Sequence, residues 1–401
     1  MVMRIKTIYE IFGDYTEREI DFAISQLGYD ERLIVKSRYG NDLHHPKTME
    51  NWNQEKSALF YRVILRKIEK LLINNRHLMG ENVKLPNIDD FTLSDNMMKL
   101  MELLSDGSKV VFGQDICAKL GIDNREFSDL LRQLRIRGVN IERKYYANGS
   151  VKYSNVVGSI DDNSGSINIA FANDDKSVKV LAISDLHFGN QLERLDLVDR
   201  AFNYCKKNGI NIILCCGDFI DGAHTMGDQY MESPYEQIKY FLNNYPMDDN
   251  ILTFGCAGNH DMDAYASTYF DFVQLCSNYR NDIILGGYNE AEIKMKNQSI
   301  KMFHQFDKSS SVPEKSPLVL CGHTHKFKVI HSENGRYLRV VVPTLSNIME
   351  RMPSALELDI NFYGGVYMND VLIKHVYFDT SADINLGEVS YELPKIKGRR
   401  K

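Results

Sequence analysis

Cysteine pairs at metal-binding or redox spacing are missing from this chain. Its seven cysteines stand at positions 117, 205, 215, 216, 256, 276 and 321, with no Cys-x-x-Cys pair, and an odd, scattered set argues against a disulfide framework. Four of them, Cys215, Cys216, Cys256 and Cys321, fall in strand-like apolar runs, where a reduced thiol behaves as a small hydrophobe. Long hydrophobic runs are missing too: no stretch reaches the ~18 apolar residues that a membrane span needs. Near the start, Arg4 and Lys6 stand without the apolar core of a signal segment, so the default expectation is a cytoplasmic protein with no membrane partner. A large excess of charge of one sign is also absent. A formal net charge of −6 over 401 residues gives no global sign of a nucleic-acid partner, which has to be sought in local patches. The length fits two or three domains.

What the second half does hold is a series of acidic and imidazole clusters. They are Asp185-Leu186-His187, Gly217-Asp218-Phe219-Ile220-Asp221, Gly258-Asn259-His260-Asp261, a lone His304, and Gly322-His323-Thr324-His325. Five of the eleven histidines fall on these positions, so chance placement explains them poorly. Each cluster but the lone histidine follows an apolar run that reads as a buried strand. Two divalent ions about 3.5–4 Å apart can hold a phosphate and its nucleophile together. Such a site wants a bridging carboxylate, flanking imidazoles and open positions for water. A mixed oxygen and nitrogen set suits Mn²⁺, Fe or Zn²⁺ better than the all-oxygen sphere that Mg²⁺ prefers.

These blocks resemble the pattern of the calcineurin-like metallophosphoesterases: D-x-H, G-D-x-x-D, G-N-H-D/E, H, then G-H-x-H. All five are present in order. The resemblance implies that Asp185, His187 and His325 hold one metal, that Asn259, His304 and His323 hold the other, and that Asp218 bridges the two. Mn²⁺ is the first expectation for both ions, with Fe or Zn²⁺ as alternatives. His260 would lie beside the phosphate, protonating the leaving oxygen or stabilising transition-state charge, with Asp261 orienting its imidazole. Asp221 reads as support for its loop rather than as a ligand. The chemistry implied is metal-hydroxide attack on phosphorus. The implied fold is α/β, a four-layer α/β/β/α sandwich.

Residues 176–385 carry this catalytic domain. Ser177–Ser184, Ile210–Cys216 and Ile251–Cys256 read as strands, Gln191–Asn208 and Pro234–Tyr245 as helices, and Asp263–Tyr279 as one aromatic-rich helix. A β-α-β-α-β run predicts parallel pairing with ligands at the carboxyl ends of the strands. From Ile283 onward, turn signals at Lys296-Asn297-Gln298, Glu333-Asn334-Gly335 and Tyr363-Gly364-Gly365 predict a second, more antiparallel sheet. The Gly222–Asn250 insertion is expected to wall the pocket, where His224 could touch substrate phosphate or merely lie nearby.

Residues 93–157 form a distinct unit. A helix Asp95–Leu104, a segment Phe112–Leu120, a Gly121-Ile122-Asp123 turn, a helix from about Asn124 to Arg137 and a hairpin around Asn148-Gly149 resemble a winged helix-turn-helix domain. From Asn124 to Lys152 stand the basic residues Arg125, Arg132, Arg135, Arg137, Arg143, Lys144 and Lys152, against the acids Glu126, Asp129 and Glu142. A basic last helix with a basic wing is a nucleic-acid footprint, although winged helices also mediate protein contacts. Tyr145 and Tyr146 could stack on a base or pack the hairpin. Residues 1–92 read as a helical region (Thr16–Leu27, Glu31–Tyr39, Glu55–Asn75) with no specific function, residues 158–175 as a linker with a possible strand at Ile167–Phe171, and residues 386–401 as a basic tail.

The leading expectation is a two-metal-dependent phosphoesterase, most of all a nuclease or phosphodiesterase acting on nucleic acid, DNA before RNA. It resembles most the DNA-repair exonuclease branch of the family. One alternative is a small-molecule or protein phosphoesterase with regulatory N-terminal domains. Another, from a different class, is a DNA-binding regulator that uses the phosphoesterase fold as a sensor.

Overall fold

The computed structural model describes residues 7–25, 94–105, 111–136, 141–155, 166–172, 175–223, 229–268, 270–348, 352–378 and 383–395, with single positions at 27, 35, 64, 65, 68, 69, 71, 72 and 139. The chain divides into two compact units, residues 1–94 with 268–271, and residues 95–267 with 272–401. In the first, helices α1 (Ile8–Ile11) and α2 (Glu17–Ser25) are described. Thr7 and Glu10 cap α1 reciprocally, satisfying amides that the first helical turn leaves without partners. Ile64, Ile68, Leu71 and Leu72, within the expected helix Glu55–Asn75, are buried; most of that helix lies outside the described residues. The expected helix Glu31–Tyr39 lies outside the described residues, Val35 excepted.

The second unit is built on two sheets. The seven-stranded one runs β16-β15-β14-β5-β6-β7-β8, where β5 is Ser177–Ile183, β6 Ile212–Cys215, β7 Leu252–Ala257, β8 Ile283–Tyr288, β14 Ser354–Tyr363, β15 Tyr367–Phe378 and β16 Asp383–Glu392. Strands β5 to β8 pair in parallel, and β14 to β16 extend the sheet antiparallel from β5. The nine-stranded sheet runs β1-β3-β2-β4-β9-β10-β11-β13-β12. Its strands are β1 Val111–Phe112, β2 Ile141–Tyr146, β3 Val151–Asn155, β4 Ser166–Ala170, β9 Glu290–Met295, β10 Gln298–Phe303, β11 Leu318–Cys321, β12 Lys328–His331 and β13 Leu338–Val341. Alternate residues of both sheets, among them Val178, Val180, Ile212, Leu214, Phe254, Ile293, Ile300, Met302, Leu318, Leu320, Val340 and Leu358, meet in one core. That is the period of two a half-buried strand requires.

Turn chemistry predicts the three hairpins β9–β10, β12–β13 and β14–β15, and all three form. Their distribution differs from the expectation of one antiparallel sheet after Ile283. Strands β8 and β14 to β16 return to the first sheet, and β10, β11 and β13 pair in parallel. The expected fourth layer also differs. On the outer face of β10, β11 and β13, the side chains Phe303, Val319, Cys321 and Val341 pack against Phe306, Val312, Ile330 and Tyr337, which come from loops and strands rather than from a helix.

Outside the first sheet lie α6 (Leu195–Asn208), ended by Gly209 at φ 65°, and α7 (Pro234–Asn244), started by Ser233 with proline in its first turn. The expected single helix to Tyr279 is two, α8 (Asn259–Thr268) and α9 (Phe272–Tyr279). Phe188, Phe202, Phe219, Phe241 and Tyr245 form a buried aromatic cluster here, with ring centroids 5.0–5.4 Å apart for the tighter pairs.

Residues 95–155 fold as α3 (Asp95–Ser105), α4 (Gly113–Leu120), α5 (Asn124–Ile136) and the hairpin β2–β3. Of the apolar positions Phe127, Leu130, Leu131 and Leu134 expected on the inner face of α5, Leu130 is half-buried and the other three are buried, together with Ser128. The hairpin is continuous with the nine-stranded sheet, because β4 pairs in parallel with β2 on one side and β9 on the other. A segment with the composition of a linker therefore supplies a structural strand, whose alternating Ile167 and Ile169 join the shared core. Among the described residues no helix is long and apolar enough to cross a membrane.

Candidate metal centre

Loops at the carboxyl ends of β5, β6, β7, β10 and β11 bring the sequence clusters together. Asp185, His187 and His325 place one ligand atom each within 4.8 Å of one another, as do Asp218, His304 and His323, and a third such group is His187, Asp218 and His260. His187 is shared by the first and third of these groups and Asp218 by the second and third, so the three form one continuous cluster. Asn259 joins on the His304 side, its Oδ1 2.9 Å from His304 Nε2.

The backbone is bent to do this. Asp185 (φ 56°), His187 (51°), Asp218 (53°), His323 (65°) and His325 (59°) all occupy the left-handed region, and only two other non-glycine residues among those described do so. That conformation costs a non-glycine residue roughly 1–2 kcal/mol, so its concentration on five candidate ligands marks a functional constraint rather than loop economy. Packing holds the strain in place. Phe188 and Phe219, each directly after a ligand, are buried in the aromatic cluster, and their main chains bond through Phe188 N to Phe219 O at 2.9 Å. Gly258 is required by close approach: a Cβ there would overlap Asp218 Oδ1.

Hydrogen bonds fix which imidazole nitrogen faces inward. His187 Nδ1 lies 3.0 Å from Asp221 Oδ1 and His304 Nδ1 2.7 Å from the carbonyl of Cys216. Each Nδ1 therefore donates outward, leaving Nε2 with its lone pair towards the site, as a metal-ligating histidine needs. His187 Nε2 and Asp185 Oδ1 are buried without a hydrogen bond among the described residues, the carboxylate oxygen standing 3.3 Å from His325 Nε2. Buried polar atoms are rarely left so, and a divalent cation would satisfy them.

The electrostatics agree. Burial works against ionised Asp218, but His304, His187 and His260 hold its carboxyl well below the usual range. Burial likewise opposes a charged His304, yet Asp218 keeps its imidazole up at about 9. A carboxylate ringed by imidazoles competing for protons is a cation site in which protons stand in for metal.

Asp221 does more than support a loop. Besides orienting His187, its Oδ2 accepts from Asn190 Nδ2 at 3.1 Å and Gln229 Nε2 at 2.8 Å. Carboxylates that orient ligand histidines tune metal affinity by 10–100-fold. Asp221→Ala is accordingly expected to weaken metal binding by about that factor with little loss of folded protein, as titration of the metal-stripped chain would show; unchanged affinity would refute this role.

Asp261 does not take the role its place beside His260 suggests. Its buried carboxylate accepts from the amides of Gly258 at 2.7 Å, Ile220 at 3.0 Å and Phe219 at 3.3 Å, and so ties the second and third loops together. Burial, with Asp218 nearby, pushes its carboxyl up to about 6. His260 is oriented instead by the main-chain carbonyl of Asp221, 2.7 Å from Nδ1, which leaves Nε2 at 3.9 Å from Asp218 Oδ2. The sequence missed Thr344, whose hydroxyl donates to the carbonyl of Asp185 at 2.9 Å; a Pro-Thr pair following a strand was its only signal.

The basic residues of the helix-and-hairpin segment are placed elsewhere. Arg125 donates to the carbonyl of Asn243 at 3.1 Å, at the end of α7. Arg132 pairs with Asp129 at 3.0 Å and covers the Tyr279 ring at 4.8 Å. Arg143 reaches Ser277 Oγ at 3.1 Å. The guanidiniums of Arg125 and Arg132 on α5 and of Arg143 on β2 thus face α7 and α9, an arrangement that composition does not reveal. Lys144 remains exposed. The Arg135 side chain and His224 lie outside the described residues.

A family described as the calcineurin-like phosphoesterase superfamily domain matches residues 178–344, which span every candidate ligand. Residues 178–344 are a calcineurin-like phosphoesterase domain. Solved structures similar to the chain include an archaeal phosphodiesterase (15% identity, 52% of this chain and 100% of that one, TM-score 0.31). Others are the phosphoesterase Yfce from E. coli (13%, 53% and 98%, 0.32) and the nuclease MPE from Pseudomonas putida (14%, 52% and 87%, 0.28). No curated protein matches the chain. In the phosphoesterase domain, then, the His and Asp clusters that could hold metal sit at the strand ends, and hydrolysis of a phosphoester is the activity its family implies.

Proposed function

We propose that this chain is a two-metal phosphodiesterase acting on nucleic acid. The observation that carries the reading is the pair of ligand clusters joined through Asp218, with the partly exposed His260 imidazole beside them. Asp185, His187 and His325 would hold one ion and Asn259, His304 and His323 the other, with Asp218 between; the mixed oxygen and nitrogen donors favour Mn²⁺, then Fe or Zn²⁺. When bound, the ions supply positive charge at the phosphoryl oxygens and a nucleophilic water. The protein's own contribution is orientation and proton transfer. The Asp221 carbonyl accepts from His260 Nδ1, so the proton of a charged imidazole at Nε2 points to the site, where it can be given to a departing alkoxide. A nucleotide's sugar oxygen is a poor leaving group and needs that proton.

Nucleic acid is proposed as substrate because three helices and a hairpin, in the order of a winged helix, precede the phosphoesterase domain in the same unit. The engagement of Arg125, Arg132 and Arg143 with that domain favours a second reading, a small-molecule or protein phosphoesterase whose N-terminal module is a fixed regulatory part. Incubation with single- and double-stranded DNA, RNA, cyclic nucleotides and a bis-aryl phosphate in Mn²⁺ separates the two. Cleavage of a polymer is expected; robust hydrolysis of the small diester with every polymer intact would select the second reading.

A further inference from the structure

One face of the hairpin is left unused by the contacts that fix the module. Phe112 on β1, Lys152 on β3 and Lys144 on β2 are successive register partners, so their side chains stand on one side of the sheet. Tyr146 shares that side, two residues beyond Lys144. The Phe112 and Tyr146 ring centroids are 6.0 Å apart. Lys152 Nζ lies 4.6 Å from the first centroid and 5.3 Å from the second, and Lys144 Nζ lies 5.7 Å from the second. Tyr145 points the other way, buried against Phe254 with ring centroids 5.4 Å apart. The row continues through the exposed partners Asn168 on β4 and Lys294 on β9. Past them Glu290 and Glu292 end its basic character, and Glu290 pairs with Lys301 at 2.9 Å.

Two lysines directly opposite one another cost a sheet stability. The one carboxylate on this side of the hairpin, Glu142, stands opposite Ser154, and neither Lys144 nor Lys152 enters an ion pair among the described residues. Cations without a counter-charge, interleaved with aromatic rings, match the chemistry of a strand that offers phosphates and unstacked bases together. A duplex hides its base faces and would leave the rings unused. At about 4.8 Å per strand, Lys144 stands roughly 14 Å across the sheet from β10, and His304 lies farther still, past the far end of that strand from Ser299, the partner of Lys294, so only a polymer reaches both.

We propose that Phe112, Lys144, Tyr146 and Lys152 form a binding site for single-stranded nucleic acid. The lysines take phosphates and the rings take bases. This rests on the nucleic-acid reading above and moves the contact from the arginines of α5 to the outer face of the hairpin.

The test is fluorescence anisotropy of a labelled single strand of about twenty nucleotides with the metal-stripped full chain, over a salt series. Losing two phosphate contacts is expected to reduce the slope of log affinity against log salt by about 1.4, at roughly 0.7 per contact, in Lys144→Ala/Lys152→Ala and in Lys144→Gln/Lys152→Gln. Tyr146→Leu is expected to weaken binding about tenfold at unchanged slope, and Arg125→Ala/Arg132→Ala to leave the slope unaltered. A slope that ignores the lysines, a slope that follows the arginines, or a preference for duplex would each overturn the assignment. Hydrolysis of the bis-aryl phosphate by wild type is scored separately, because its failure would count against the metal centre and not against this site.

Discussion

In an Asp218→Ala protein, turnover of any phosphodiester is expected to fall to background, and the metal content with it. Asp218 is the carboxylate that both ligand groups reach: Oδ2 lies 3.0 Å from His304 Nε2 and 3.9 Å from His187 Nε2. Removing it leaves Asp185 as the one candidate carboxylate ligand to offset two dications, and only imidazoles and an amide on the His304 side. Its Oδ1 also accepts from the amide of His260 at 3.0 Å, so the same change loosens the loop that carries the acid. Elemental analysis alongside the rate decides the matter. An Asp218→Ala protein that retains both ions would show that the carboxylate is not the bridge.

His260→Ala is expected to behave differently, losing rate with both ions retained. Acid catalysis is worth typically 10²–10⁴-fold, and its weight depends on the leaving group. A dinucleotide, whose alkoxide needs a proton, should lose turnover across that range, whereas an aryl diester, whose phenolate leaves unaided, should lose far less. The readout is the ratio of the two rates, which a purely structural role would not change. Equal losses on both substrates would instead make His260 a stabiliser of phosphoryl charge.

The phosphoesterase site was legible because its chemistry is local. A ligand that follows a buried strand needs only a short polar motif after an apolar run, and Asp185, Asp218, Asn259 and His323 are all announced in that way. Side-chain direction was not legible. Asp261 follows His260 in the chain, but in the first turn of α8 it turns inward to three amides, and the orienting group for His260 is a main-chain carbonyl that no sequence pattern displays. Asp221 was placed in the right loop; the contact with His187 that gives it a role joins residues 34 apart. The basic character of α5 was visible as composition, while its destination against α9 depends on how two modules share a sheet. That sharing rests on β4, a five-residue strand in a segment whose Ser, Gly, Asn and Asp content reads as a linker. Short alternating runs such as Ile167 and Ile169 carry too little periodicity to fix long-range parallel pairing.

One chain is proposed to hold two ions in a single shared site. Counting Mn²⁺ bound per chain after reconstitution of the metal-stripped protein tests it most directly. Two ions per chain are expected, taken up together with the appearance of phosphodiesterase activity. A single ion at full activity, or none, would contradict the account.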